Sequence, residues 1–248
     1  MQLTSTSCCN IVELRQYQLH PGQRDTLITI FDREFVETQE ALGMTLLGQF
    51  RDIDRPDVFT WLRGFPDMES RAASLGSFYD GPVWAKSRNE ANATMVAWDN
   101  VRLLRPVLAW PLGDRPAPGA TAVPTTDRGI VVGTIYPLKP RGPSSFSELF
   151  EGSVAPRLAA AGAHPFATFE TEPGVNSYPR LPVREGERER CFAWFARFAD
   201  VAAYERSITR LGEDVMWRSE VIGRLDAHLA APVEVLRLEP TARSRTLP

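Results

Sequence analysis

The chain has 248 residues, which suits one large domain or two domains of about half that size. Its 28 Lys and Arg residues against 31 Asp and Glu residues give a formal net charge of −3, so no excess positive charge is available to hold a polyanion. Nucleic-acid binding is therefore excluded as the main function. The longest uncharged apolar stretch, residues 129–138, is far shorter than the roughly 20 residues that span a bilayer, so we expect no membrane partner.

The first half of the chain predicts four strands and three helices. Alternating apolar and polar residues predict the strands, and apolar residues at helical spacing predict the helices. The resulting order, β-α-β-β-α(α)-β, is typical of a ferredoxin-like unit, whose antiparallel sheet carries helices on one face only. In chain order we expect a strand over 11–19, a helix ending at Gly43, strands over 44–51 and 57–65, helices from Pro66 to about Phe78 and from Pro82, and a strand over 100–107.

The second half of the chain repeats the first. An offset of 119 residues pairs Phe50 with Phe169, and after an insertion in the second copy an offset of 133 pairs Trp61 with Trp194. The inserted residues lie within 170–191, a stretch rich in Pro, Gly and charge, and we expect them to form a hairpin tip.

This repeat predicts the domain organisation and the fold class. The free face of each sheet needs a cover, and a second copy of the same unit is the natural one. We therefore expect an α+β fold with two tandem ferredoxin-like (β-α-β-β-α-β) repeats. The boundaries are a first domain over 1–110, a Pro/Gly/Thr-rich linker over 111–127, a diverged second repeat over 128–241, and a tail over 242–248.

The first copy resembles the NIPSNAP family. The segments that carry the resemblance are VELRQYQLHPGQRDTL, GMTLLGQFRDIDRPDVFTWLRGFPDMESRAASLGSFYDGPVW and NVRLLRP, within 11–107; the second copy, 129–240, resembles a diverged NIPSNAP domain. The resemblance implies the dimeric α/β-barrel superfold, in which two antiparallel sheets pack face to face as one barrel. Here both halves would come from one chain. Because this superfold hosts cofactor-free monooxygenases, cyclases and haem proteins, the resemblance leaves the reaction open.

The two copies differ in polarity on the first strand. Glu13 and Arg15 occupy positions that hold Val132 and Thr134 in the second copy. Because residues two apart share a strand face, Glu13, Arg15 and Tyr17 point the same way. The first copy therefore carries charge where the second copy does not.

The third helix shows a parallel difference. Trp84, Arg88 and Asn92 recur at a spacing of four residues, and the offset of 133 places apolar residues at the matching positions of the second copy. We therefore expect this stripe to face inward in both copies. An inward arginine needs a partner, because an isolated buried charge is costly, so we expect Arg88 to pair with Glu13 in a buried polar pocket.

These residues predict a small-molecule pocket between sheet and helices of the first domain. Arg88 or Arg15 would bind a carboxylate or enolate oxygen, and Glu13 would act as a base or orient the ligand. The superfold suggests an oxygenase, isomerase or cyclase, and the absence of nucleotide-loop and metal-ligand spacings predicts no cofactor. The candidate catalytic residues are Glu13, Arg15 and Arg88, and the candidate substrate-binding residues are Tyr17, Trp61, Trp84 and Asn92.

The sequence leaves three alternatives open. The buried ion pair could be purely structural, and the protein could be a non-catalytic adaptor; a pocket of about 300 Å³ or more would argue against the adaptor. In a third alternative, His228 on the last helix binds haem, as the resemblance to chlorite-dismutase-like barrels suggests. We also expect a cytoplasmic location, because the start of the chain lacks a secretory leader and its three cysteines make a poor disulfide framework. We expect a homodimer because members of this superfold often add a second interface.

Overall fold

The computed structural model describes residues 9–119, 129–140 and 145–247. Residues 120–127 of the expected linker lie outside the described part of the chain. The first repeat has the expected element order, with one additional short strand. Its elements are β1 (Ile11–Leu19), α1 (Arg24–Ile30), a π-helical turn (Phe31–Phe35), α2 (Val36–Ala41), β2 (Thr45–Asp52), β3 (Val58–Phe65), α3 (Met68–Tyr79), α4 (Pro82–Asn92), β4 (Met95–Ala97) and β5 (Val101–Leu108).

The second repeat follows the same order. Residue 43 in the first repeat and residue 162 in the second are glycines at positive φ, each just after the first helical segment, where a side chain would be strained. The elements are β6 (Ile130–Pro137), α5 (Phe146–Leu149), a π-helical turn (Phe150–Val154), α6 (Ala155–Ala160), β7 (Pro165–Thr171), a 3₁₀ turn (Glu187–Glu189), β8 (Cys191–Phe198), α7 (Val201–Glu213), a π-helical turn (Trp217–Val221), α8 (Ile222–His228) and β9 (Glu234–Pro240).

The two four-stranded sheets close into one antiparallel barrel of eight strands. The sheets have the orders β5-β1-β3-β2 and β9-β6-β8-β7, and they join where β2 pairs with β9 and β5 pairs with β7. The short strand β4 pairs with the end of β1 and stands outside the barrel. Strands β1 and β3 pair Ile11 with Phe65, and strands β6 and β8 pair Ile130 with Phe198. This shared register confirms the α+β fold with tandem repeats and an intrachain barrel.

The side chains of β1 separate two environments. Val12 and Leu14 pack in the barrel interior with apolar residues of both repeats. The alternate residues, among them Tyr17, face outward and lie under the helices of the first repeat. This period of two places Glu13 and Arg15 between sheet and helices, as predicted from their spacing.

The inward stripe of α4 differs from the prediction. Ser87 and Ala91 are buried, whereas Arg88 and Asn92 are exposed. The reason is the π-helical turn Trp217–Val221 of the second repeat, because a π turn accommodates one extra residue. Beyond that turn, each residue of the first repeat matches a residue of the second repeat that lies one position later than the offset of 133 indicates.

Candidate functional site

A buried charge cluster lies between the sheet and the helices of the first repeat. Glu13 on β1 stands directly opposite Arg63 on β3. Arg15 Nη1 and Arg63 Nε donate to Glu13 Oε2 at 2.8 and 2.7 Å, and Arg71 Nε donates to Glu13 Oε1 at 2.7 Å. All four side chains are completely buried. One carboxylate therefore organises three guanidinium groups inside the protein.

The cluster carries an excess of positive charge. Three arginines share one glutamate, and guanidinium groups do not deprotonate in proteins, so two positive charges have no carboxylate partner within the cluster. Burial alone would raise the pKa of Glu13, but Arg63, Arg15 and Arg71 outweigh burial and hold that pKa well below its usual range. A carboxylate of such low basicity, with its oxygens already bonded, suits an orienting role better than the role of a base.

Aromatic and amide groups surround these guanidinium groups. Arg15 Nε donates to the Tyr17 hydroxyl at 2.9 Å, and Arg63 Nη1 donates to Gln39 Oε1 at 2.8 Å. The ring of Trp61 lies 5.4 Å from the guanidinium carbon of Arg15 and 5.0 Å from that of Arg63, within the range of cation–π attraction. Burial raises the pKa of Tyr17 to about 12, so its hydroxyl is neutral at physiological pH.

A cavity of about 230 Å³ adjoins the cluster. It is smaller than the ~300 Å³ expected of a drug-sized site, but an engineered cavity of about 150 Å³ is enough to bind benzene. Glu13 and Arg88 are not among the lining residues. The wall is mostly aromatic and also contains the amides of Gln39 and Asn92 and the guanidinium groups of Arg63 and Arg180. It is formed by Tyr17, Leu27, Phe31, Phe35, Gln39, Trp61, Arg63, Phe78, Tyr79, Trp84, Ala91, Asn92, Met95, Trp98, Tyr178, Arg180 and Leu181.

Three cavity-lining residues have buried polar atoms without hydrogen-bond partners among the described residues. These atoms are Trp61 Nε1, Arg63 Nη2 and the Tyr178 hydroxyl. Buried polar groups are nearly always paired, since an unpaired one costs about 1–3 kcal/mol. Two of the three atoms are N–H donors, and both belong to side chains that line the cavity.

The insertion of the second repeat connects the antiparallel strands β7 and β8, as expected of a hairpin tip, and it also forms part of this wall. The ring of Tyr178 stacks on Tyr79 with centroids 6.1 Å apart, and Arg180 binds Asp80 at 2.8 Å. Leu181 is buried in the core of the first repeat. Repeat comparison locates this insertion, but the structure alone shows which surface it covers.

The structure places six of the seven predicted residues in the cluster or in the wall of the adjoining cavity, and it places Arg88 in neither. Glu13, Arg15, Tyr17 and Trp61 are buried in or beside the cluster. Trp84 is half-buried in the cavity wall and Asn92 is an exposed lining residue. The predicted pairing of Glu13 with Arg88 is wrong, because Arg88 lies on the exposed side of α4.

The sequence analysis missed Arg63, Arg71 and Gln39. The signal for the two arginines was available, because the offset of 133 that matches the tryptophans also matches Arg63 with Ala196 and Arg71 with Tyr204. The register of β1 and β3 further places Arg63 opposite Glu13. The loss of charge in the second copy therefore extends to the whole cluster.

The second repeat contains His228, the candidate haem ligand. His228 is buried at the end of α8, where its Nδ1 lies 2.8 Å from the Arg224 carbonyl and its ring meets Phe146 edge-on. It lines a second cavity, of about 740 Å³, together with Cys191. Haem binding there stays a prediction.

No group of three His, Cys, Asp or Glu residues among residues 9–119, 129–140 and 145–247 is arranged to hold a metal ion. No helix in the described part is long and apolar enough to cross a membrane.

Fold and site together define a tandem ferredoxin-like barrel with a buried cationic cluster beside a cavity in its first repeat. Residues 12–109, which make up most of the first repeat, match the model of the NIPSNAP family. Among proteins with curated descriptions, none matches the sequence.

Two of the similar solved structures cover most of this chain and share its fold. A "Putative monooxygenase" from Fusobacterium nucleatum is 9% identical, with a TM-score of 0.57 over 95% of this chain and 94% of that one. An anthrone oxidase-like protein is 14% identical, with a TM-score of 0.57 over 95% and 92%. A NIPSNAP-like domain protein from Burkholderia xenovorans is 27% identical over 38% of this chain and 81% of its own, with a TM-score of 0.35.

Proposed function

We propose that the first repeat binds a small organic anion with an apolar body of about one ring. The observation that carries this proposal is the pair of donors Arg63 Nη2 and Trp61 Nε1, which belong to cavity-lining side chains and have no acceptor among the described residues. A carboxylate or enolate would supply that acceptor through charge-assisted hydrogen bonds. The aromatic wall would enclose the rest of the ligand.

Electrostatics support an anion over a neutral ligand. Burying a charge without a partner costs several kcal/mol, and the cluster holds two positive charges beyond its one carboxylate. A ligand carrying one negative charge would reduce this excess and make the buried arginines less costly. The native chain therefore has an electrostatic reason to prefer an anion.

The same geometry supports a converting role based on stabilising negative charge. A guanidinium beside a carbonyl or phenol oxygen favours the enolate or phenolate form, which is the reactive form in cofactor-free oxygenation, isomerisation and cyclisation. In this account Arg63 touches the anionic oxygen, and Glu13 positions Arg63, Arg15 and Arg71. The monooxygenase and oxidase names among the structures of similar fold agree with this chemistry.

Native mass spectrometry of the protein as purified, followed by calorimetric titration with benzoate, tests the binding proposal. Trp61 and Trp194 form a matched pair: both are buried at equivalent positions, but Trp194 Nε1 already donates to the Tyr136 hydroxyl at 3.3 Å. We expect Trp61→Phe to release any co-purified anion and to weaken benzoate binding by about tenfold or more, whereas Trp194→Phe leaves both unchanged.

The adaptor alternative makes the opposite prediction. A bare chain in every sample, together with no saturable binding of benzoate, would overturn the binding proposal and favour a role in protein assembly.

Three further expectations stay predictions from the sequence. They are a cytoplasmic location, a homodimer and action without a nucleotide or metal cofactor.

A further inference from the structure

The insertion of the second repeat contains a turn that is held rigidly over the cavity of the first. This turn spans Tyr178 to Leu181, and Leu181 N donates to the Tyr178 carbonyl at 3.0 Å. The buried side chain of Asn176 clamps it from both sides. Its Oδ1 accepts from Tyr178 N at 3.1 Å, and its Nδ2 donates to the Leu181 carbonyl at 3.0 Å.

The turn is anchored on the buried charge cluster. Arg71 Nη1 donates to Asn176 Oδ1 at 2.9 Å, while Arg71 Nε donates to Glu13. The same Arg71 nitrogen donates to the Ser177 hydroxyl at 3.2 Å. One arginine therefore connects the cluster of the first repeat to a loop of the second, and it fixes the loop relative to the cavity.

This turn contributes two polar residues to the wall, Tyr178 and Arg180, and Arg180 is already bonded to Asp80. The ring of Tyr178 is fixed by stacking on Tyr79 and by the guanidinium of Arg180, which lies 5.7 Å from the ring centroid. The Tyr178 hydroxyl is buried and has no hydrogen-bond partner within the described ranges. A hydroxyl that is held in place without a partner is suited to recognise a polar group on a ligand.

We propose that Tyr178 is a specificity-determining residue of the first repeat's site, and that it binds a second oxygen of the ligand. This inference rests on the proposed function. The substrate class is then a one-ring acid that bears a hydroxyl or carbonyl group in addition to its anionic group. Arg63 and Trp61 bind the anionic group. The Tyr178 hydroxyl forms a hydrogen bond with the other oxygen, as donor to a carbonyl or as donor or acceptor to a hydroxyl.

The physical basis of this selectivity is the unpaired hydroxyl. A ligand that lacks the second oxygen leaves the Tyr178 hydroxyl buried without a partner, and sites built to pair a polar group discriminate strongly against such analogues. Because Tyr178 is only partly buried, we expect a preference of about tenfold rather than the several thousandfold of fully enclosed sites. The second repeat thus takes part in recognition without having a charge cluster of its own.

Calorimetric titration with benzoate and with the 2-, 3- and 4-hydroxybenzoates tests the proposal. For the wild type we expect at least one hydroxybenzoate to bind about tenfold more tightly than benzoate. Tyr178→Phe should remove that preference, so that the hydroxybenzoate binds no more tightly than benzoate. The matched control is Tyr136→Phe, because Tyr136 lies in the core of the second repeat and should keep the preference.

A second variant keeps the test independent of one side chain. Asn176→Ala removes the clamp of the turn, so we expect it to reduce the preference for the hydroxybenzoate while Trp61-dependent binding of benzoate persists. A preference that survives in Tyr178→Phe, or Trp61-dependent binding of benzoate with no preference in the wild type, would overturn the role of Tyr178 alone. Failure of all four acids to bind the wild type would overturn the proposed function and, with it, this inference.

Discussion

The outer sheet faces of the two repeats share a fold and differ in chemistry. In the first repeat Glu13, Arg15 and Arg63 face the helices, whereas Val132, Thr134 and Ala196 hold the matching positions of the second repeat. Both versions are buried, so burial alone does not require the charges. The second repeat forms the same architecture with an uncharged layer, and the charged layer of the first repeat therefore calls for a functional explanation.

Breaking the central carboxylate should have the largest effect. Glu13→Gln leaves three buried guanidinium groups without a counter-charge, and we expect a loss of about 3–5 kcal/mol in the free energy of unfolding. At the matching position Val132→Ala removes apolar contacts only, with an expected loss of about 2 kcal/mol. Urea unfolding of both variants measures the difference, and equal losses would contradict the charge account.

Acidification should act on the first repeat through the same carboxylate. The pKa of Glu13 is lowered by its arginines from an ordinary value of 4.5, so its contribution to stability is complete above about pH 4.5 and is lost as the pH falls further. We expect urea unfolding between pH 5 and pH 3 to show a steep loss of stability in the wild type. Glu13→Gln should show a shallower slope, and parallel slopes would contradict the prediction.

Removing an arginine should weaken benzoate binding with little effect on the free energy of unfolding. Arg63→Met takes away one of the two uncompensated buried charges, so we expect the unfolding free energy to stay within about 1 kcal/mol of the wild type or to rise. Benzoate affinity should fall by about 30-fold or more, because the anion loses its charged donor. A variant that is strongly destabilised would instead indicate a cluster selected for structure.

The smallest effect is expected at Arg88. Its side chain is exposed on α4, and no ion pair involving it is found in the described structure. Arg88→Ala should therefore change the free energy of unfolding by less than about 0.5 kcal/mol and leave benzoate affinity unchanged. Calorimetry and urea unfolding check this, and a large loss of binding would restore the original assignment of Arg88 to the site.

The sequence predicts the fold well because two independent patterns, strand alternation and the internal repeat, both indicate tandem α+β repeats. It also predicts Glu13, Arg15, Tyr17 and Trp61 at the site, since residues two apart on a strand keep one face. The prediction for Arg88 is wrong because the π-helical turn Trp217–Val221 contains one extra residue. The inward-facing positions of the two helices are therefore shifted by one residue relative to each other.

The remaining parts of the site depend on tertiary structure. Arg71 reaches Glu13 only because α3 packs on the sheet, and Asn176 and Tyr178 reach the cavity only because a long insertion folds back over the other repeat. Loop length in a sequence says little about the surface on which a loop settles. Comparing the two repeats identifies the positions that are charged in the first repeat and uncharged in the second. The structure shows which side chains surround those positions.

The central claim is that the buried charge cluster makes the cavity selective for an anion. The most direct measurement is the melting temperature of the wild type and of Arg63→Met with benzoate and with benzamide, its neutral isostere. We predict that benzoate raises the melting temperature of the wild type, that benzamide does not, and that neither stabilises Arg63→Met. Equal shifts from the two ligands, or a benzoate shift that survives in Arg63→Met, would contradict the account.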